Sequence, residues 1–230
     1  MLKIYNTMTH AKEDFRPIDE GKVRIYVCGL TVYDYTHLGH ARMLVAFDVI
    51  VRYLRARGFD VTYVRNITDV DDKINARALR DHPELPLNDA IAEVTSRTAE
   101  QYMTDVTALG CLEPTVQPRA TAYIAGMVKM IQTLIERGHA YVLEGVGVYF
   151  RVHSFKDYGC LSGNTLENLE SGARIDVDER KESPLDFALW KIDEKHLQQW
   201  DSPWGRGFPG WHIECSAMSY KYLGGTFDIH

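Results

Sequence analysis

The stretch from Lys22 to Val64 constrains the fold more than any other part of the chain. Residues 22–28, KVRIYVC, set Val23, Ile25 and Val27 against Arg24, Tyr26 and Cys28, the two-residue period of a strand. After Gly29 and the loop TVYDYTHLGH, a nearly unbroken apolar run extends from Leu44 to Leu54. It lacks Gly and Pro and is too long for a strand, so it reads as a buried helix. Arg55, Arg57 and Gly58 then supply cations and a glycine where a helix C-terminus favours both. Residues 59–64, FDVTYV, read as a second strand, and a crossover of this length implies parallel pairing. The expected class is α/β, with a Rossmann-like parallel-sheet nucleotide-binding domain. In such sheets ligands collect beyond the carboxyl ends of the strands, where Cys28, the 31–40 loop and the Asn66–Asp72 segment would converge.

Further along, Asn88 is a plausible N-cap for a helix running toward Gly110, and a second amphipathic helix spans Thr121 to Arg137 before Gly138. Prolines 114 and 118 separate the two. From His139 the pattern changes, with AYVLEGVGVYFRV reading as a hairpin around Gly145 and Gly147. A Gly/Ser/Asn-rich stretch and the charged run DVDERKE follow, and the whole reads as an insertion. The last stretch carries a short helix over Cys215–Leu223. The expected organisation is a first segment over 1–112, an insertion of α+β character over 113–200, and a resumed segment over 201–230.

Charge narrows the partners. With 26 Lys+Arg against 32 Asp+Glu the net charge is −6, so any nucleic-acid contact must be local rather than a product of global attraction. The first twenty residues mix charges with turn formers, and no uncharged apolar run of about 18 residues occurs, which leads to the expectation of a cytoplasmic protein without membrane contact. The four cysteines, at 28, 111, 160 and 215, form no CxxC pair, so reduced thiols are expected. The Asn66-Ile67-Thr68 sequon then carries no glycan. Cys111 and Cys160 belong to no motif and read as inert small hydrophobes.

His37-Leu38-Gly39-His40 stands where the loop enters the first helix, so its two imidazoles lie on one side of the first turn. A helix N-terminus offers N–H groups and a positive dipole end to phosphate, and two imidazole donors suit an α-phosphate that gains charge during displacement. Gly39 would leave room for a base or ribose. The plain alternative is that one His caps the helix and the other packs in the core. The acids Asp69, Asp71 and Asp72 suggest a cation, but the EF-hand pattern fails, and a solvated or helix-capping role is the simpler reading. Arg180 and Lys181 in the DVDERKE run are weak candidates for RNA contact beside the simpler reading of a charged surface.

The run Cys28-Gly29-Leu30-Thr31-Val32-Tyr33-Asp34, followed by His37-Leu38-Gly39-His40-Ala41-Arg42, resembles the signature of cysteinyl-tRNA synthetases, with HLGH as their HIGH motif. The resemblance continues through Asn66–Lys73, Asp186–Lys191, Pro209–Met218 and Phe227–His230, and so covers essentially the whole chain. Leu30 stands where many family members have proline. The resemblance implies two further segments, a HHENE stretch and a KMSKS loop, that do not occur in these 230 residues, so the chain is expected to be the N-terminal portion of an enzyme and to lack turnover alone.

What the resemblance implies is specific. L-cysteine is activated with ATP and Mg²⁺ to cysteinyl-adenylate and then transferred to tRNA(Cys). Zinc is held by Cys28 and Cys215, with a His and a Glu supplied from the HHENE segment. His37 and His40 act on the phosphates as catalytic groups. Gly29, Thr31, His37, Gly39 and His40 bind ATP; Thr68, Trp211 and His230 line the cysteine pocket. Thr68 could instead cap the following segment, and Trp211 could be core. A monomer is expected. Two rivals remain open, a cysteine ligase of mycothiol synthesis and a non-catalytic paralogue that binds tRNA or metal.

Overall fold

The computed structural model describes residues 2–166, 168, 180–193, 198–210 and 212–230. Its contacts divide the chain into two compact units, one of Met1–Arg16, Met127–Asp193 and Trp200–Ile213, the other of Pro17–Gly126, Glu194–Gln199 and Glu214–His230.

The first unit is antiparallel. Strands β1 (Lys3–Asn6) and β2 (Ala11–Asp14) form a hairpin. In the second unit, β3 (Lys22–Val27) leads into helix α1 (Leu38–Ala56), which returns to β4 (Asp60–Arg65). There follow α2 (Asp72–Asp81), α3 (Leu87–Ala108), a 3₁₀ turn over Ala120–Tyr123 and α4 (Ile124–Glu136), which from Met127 onward belongs to the first unit. The chain then adds to the first unit β5 (Ala140–Leu143), β6 (Gly147–Phe150), β7 (Phe187–Lys191) and β8 (Phe208–Pro209), one four-stranded sheet in that order with every pair antiparallel. Helix α5 (Ile213–Leu223) precedes the segment 224–230.

Sequence and structure agree on the crossover. β3 and β4 pair in parallel from Lys22↔Asp60 to Val27↔Arg65. Ile25, Tyr26 and Val27 in β3 and Tyr63, Val64 and Arg65 in β4 are all buried, so the carboxyl ends of both strands are covered on both faces, as parallel pairing requires. α1 closes at Gly58, φ 90°, where the Gly58 N–H donates to the Arg55 carbonyl and the Phe59 N–H to the Leu54 carbonyl. The protein is thus an α/β chain with mixed sheets. The expected 113–200 insertion overlaps the first unit over Met127–Asp193.

Several expectations need correcting. α1 is not buried all round: Leu44, Val51 and Leu54 are covered, while Val45, Val49, Ile50 and Tyr53 are exposed, because a helix laid on a sheet buries one stripe. α3 starts two residues earlier than the sequence suggests, with Pro86 rather than Asn88 at its N-cap. α2 was not anticipated. Its N-cap is Asp71, whose carboxylate accepts the Lys73 N–H at 2.8 Å. Ile74 and Ala78 of α2 pack on Ala90, Ile91 and Val94 of α3. A second cluster, Leu30, Val32, Leu44, Ile67, Ala99, Tyr102 and Val106, packs the loop after β3 between α1 and α3.

Candidate metal and nucleotide site

The site lies in the second unit, at the carboxyl ends of β3 and β4. β3 delivers Cys28, exposed, immediately after its last residue, and the first turn of α5 delivers Cys215, buried. Their sulfur atoms are 3.4 Å apart. The Cys215 S–H donates to Cys28, which lowers the pKa of the Cys28 thiol against the opposing effect of burial. The same contact and burial push Cys215 up. The pair therefore gives up one proton readily and holds the second, unless a cation neutralises both thiolates. Burial, reinforced by Cys215, also raises the neighbouring Tyr26 hydroxyl, and burial pushes Glu214 up to about 7, with Asp71 adding to it.

All four cysteines are free. Two thiolates on one tetrahedral zinc, each at about 2.3 Å, stand a little under 4 Å apart, so this spacing fits two positions of a single zinc site. Two thiolates do not close such a site. Cys111 is half-buried with its thiol raised by burial and packs on the cluster around Leu44, and Cys160 is exposed.

Behind the sulfurs, Asn66 organises the floor. Fully buried, it accepts the Gly29 N–H at 2.8 Å and the Tyr26 O–H at 3.2 Å on Oδ1, and it donates from Nδ2 to the Thr68 hydroxyl at 3.0 Å. A Cβ at Gly29 would fall 1.5 Å from the Asn66 carbonyl oxygen, so only glycine permits this approach. Sequence reasoning assigned Asn66 no role. Its signal was an amide at the end of a buried parallel strand, a place where loop backbone needs a partner. Thr68, buried, also pairs by backbone with the loop: its N–H donates to the Leu30 carbonyl and its carbonyl accepts the Val32 N–H, with Thr31 its parallel bridge partner.

His230 stacks on Tyr26, ring centroids 5.7 Å apart, and meets Phe227 edge-on. It is placed there because the Asp228 carboxylate accepts the N–H groups of Ile18 and Arg24, and the Ile229 carbonyl accepts that of Tyr26. Trp211 lies outside the described residues.

His37 is the N-cap of α1. Its Nδ1 accepts the Gly39 N–H at 3.1 Å, and the Nδ1 of His40 accepts the His37 N–H at 3.3 Å, a reciprocal capping box. With both Nδ1 atoms accepting, each neutral ring carries its proton on Nε2, as a donor. The rings stack at 3.7 Å. Burial and the facing His37 hold His40 below its ordinary value, which keeps it neutral. Capping and ligand donation are thus compatible, and the capping bonds fix the tautomer that donation needs. A Cβ at Gly39 would lie 2.9 Å from the His37 ring, so the room this glycine leaves is taken up by that imidazole.

The acid cluster is structural. Asp69 accepts the Thr121 N–H and hydroxyl at 2.9 and 2.7 Å, and Asp71 and Asp72 serve the N-terminus of α2. Cys28, Cys215, Gly29, Thr68 and His230 are therefore joined through Asn66 and Tyr26, whereas His37 and His40 connect to them through the loop 30–36. Of the DVDERKE run, residues 176–179 lie outside the described residues. Among the described residues no helix is long and apolar enough to cross a membrane.

Comparison with known proteins adds a family. The family model of the tRNA synthetases class I (C) catalytic domain matches residues 14–230. Curated proteins named cysteine–tRNA ligase are similar along the full chain: that of Rhizobium meliloti (strain 1021) is 61% identical over 232 residues, all of this chain and 50% of the relative. Those of Rhizobium rhizogenes (strain K84) and Nitrobacter hamburgensis are 61% and 58% identical, again over 100% of this chain and 50% and 49% of the relative. The chain spans about half the length of the curated relatives it matches.

Proposed function

The chain belongs to the family of class I (C) tRNA synthetase catalytic domains, and from that premise we propose that it is part of an enzyme that activates L-cysteine with ATP and transfers it to tRNA(Cys). The observation that carries the reading is the sulfur pair, 3.4 Å apart at the carboxyl ends of the parallel strands. Cys28 and Cys215 would hold zinc, with the remaining His and Glu ligands from sequence beyond residue 230. Zinc, when bound, supplies an open position that takes a thiolate in preference to a hydroxyl. Selection needs such a device, because a hydrophobic pocket separates near-isosteres by only about 1–3 kcal/mol.

The remaining work is positioning. In adenylate formation the cysteine carboxylate oxygen bonds to the α-phosphorus of ATP while the bond from that phosphorus to the bridging oxygen breaks and pyrophosphate leaves. The Nε2–H groups of His37 and His40 donate to the phosphate oxygens that gain charge. Gly29, Thr31 and Gly39 would meet ATP through their backbone, the space a side chain would take at the two glycines being filled by Asn66 and His37. Thr68 and His230, with Trp211, shape the wall facing the amino acid. Transfer follows by attack of the terminal ribose hydroxyl of tRNA(Cys) on the carbonyl, releasing AMP. Capping by His37 and His40 supports this reading because an Nδ1 that accepts a backbone N–H leaves the Nε2–H of each ring turned to donate without substrate present.

The parallel β3–α1–β4 crossover, extended by the parallel bridges Ile25↔Ile229 and Val64↔Val116, supports a Rossmann-like core. The antiparallel sheet of β5–β8 supports reading 113–200 as a connective insertion between catalytic segments 1–112 and 201–230. A cytoplasmic monomer is the state we assign to the whole enzyme. The test is ATP–pyrophosphate exchange by the full-length protein. Exchange that depends on cysteine and is absent with serine, followed by charging of tRNA(Cys), is expected. Exchange with product formed on an amino-sugar and uncharged tRNA would move the assignment to the mycothiol-type ligase, and no exchange at all to a binding paralogue.

A further inference from the structure

The loop between β3 and the HLGH turn is tied to α2 and α3 at every second residue. The Val32 carbonyl accepts the Thr98 hydroxyl at 2.7 Å. The Asp34 carboxylate pairs with Arg77 of α2 at 2.7 Å. The Thr36 hydroxyl donates to Asp105 of α3, whose other oxygen accepts the Gln101 amide at 2.8 Å. Each anchor is itself held. Arg77, only 13% exposed, is also bonded to Asp81, and Asp81 in turn takes Arg80 at 3.0 Å and Arg97 of α3 at 3.2 Å. Between the tethers Tyr33 packs on the α2–α3 cluster, with the Lys73 ammonium 5.4 Å from its ring.

These ties end one residue before His37, and beyond them apolar packing gives little help, since Tyr35 is 58% and Leu38 89% exposed. Misplacing a reacting group by about 1 Å costs on the order of a hundredfold in rate, so a loop that presents phosphate-binding donors gains from polar anchors of fixed length. We infer that α2 and α3 clamp the approach to the HLGH turn, with Asp34 and Thr36 as positioning residues through which Arg77 and Asp105 set where the two imidazoles meet ATP. This rests on the reading that His37 and His40 serve the nucleotide. Asp34 and Thr36 touch no substrate in this role; they act through the backbone that carries His37.

The test uses the full-length protein and cysteine-dependent pyrophosphate exchange. Asp34→Ala and Thr36→Val are each expected to lower kcat about tenfold or more and to raise KM for ATP, with KM for cysteine unchanged. Thr36→Ser, which keeps the hydroxyl, is expected to restore both parameters. Wild-type kinetics in Asp34→Ala and Thr36→Val overturn the clamp. So does a parallel rise in KM for cysteine, or a Thr36→Ser variant as impaired as Thr36→Val, because either marks general loosening instead of nucleotide positioning. A wild-type protein with no cysteine-dependent exchange overturns the functional reading and the clamp together, whereas an active wild type with unaffected variants removes the clamp alone.

Discussion

Two buried polar centres show what separates a site from a scaffold. In the antiparallel sheet Asp186, 2% exposed, accepts the Tyr141 hydroxyl at 2.8 Å and the N–H groups of Val152 at 2.9 Å and Ser183 at 3.1 Å. All of that binding capacity goes to holding β5, the turn after β6 and the approach to β7. At the ends of the parallel strands Asn66 is just as buried, yet its bonds run to Gly29, Tyr26 and Thr68, the residues that frame a pair of thiols whose coordinating capacity is not used up by one another. Antiparallel neighbours satisfy each other locally. Parallel strands end together on one side and leave their loops to be organised by such residues, and donors collect there.

Two substitutions sharpen the contrast. Asp186→Ala leaves a buried hydroxyl and two buried N–H groups without their acceptor, so the expected loss is about 3 kcal/mol or more of unfolding free energy by urea titration. Exchange activity of the protein that remains folded stays at the wild-type level. Asn66→Ala is expected to lose less stability, about 1–3 kcal/mol, and yet to reduce exchange on the order of a hundredfold, because Gly29 and Thr68 lose their common partner. Equal activity losses in the two variants, or an Asn66→Ala enzyme at wild-type rate, would erase the distinction.

The smallest effect concerns pH. Glu214 has its carboxyl raised to about 7 by burial, well above its value in an unfolded chain. The folded state therefore favours the protonated acid. That contribution is complete at pH below about 4 and is lost as pH rises through about 7, at a slope near 1 kcal/mol per pH unit for the metal-free protein. Glu214→Gln, already neutral, is expected to flatten this part of the stability profile. An unchanged slope in Glu214→Gln would place the titrating group elsewhere.

How much of this was legible in the sequence depended on how local the signal was. β3, α1 and β4 could be read because alternation, an apolar run and a closing Gly58 each act over a few residues. The direction of pairing followed from crossover length. β2, AKED, could not be read, since it is exposed at all four positions and has no apolar face to reveal. α2 escaped because only Ile74 and Ala78 give it an apolar buried side, although the capping role read for its acids is the one Asp71 takes. α1 was read as wholly buried because its outer face is also apolar, and a one-dimensional pattern does not say which face a sheet covers.

At the site, Cys28 and Cys215 stood out through their motifs, 187 positions apart, but their spacing of 3.4 Å is a property of the fold. HLGH offered capping and ligand binding as alternatives; the geometry shows the capping and leaves Nε2 of each ring able to donate, so the two are compatible. Asn66 is hard to single out beforehand, since Gly29 and Tyr26, two of the three partners that give it a role, lie 37 and 40 positions away and only the fold brings them to it.

The most direct measurement is metal analysis with X-ray absorption on the full-length protein. The expected result is one zinc per chain with two sulfur neighbours at about 2.3 Å, and loss of a sulfur neighbour in Cys28→Ser and in Cys215→Ser. Zinc with no sulfur around it, or an unchanged sulfur shell in the double variant, would contradict the assignment of these two thiols as its ligands.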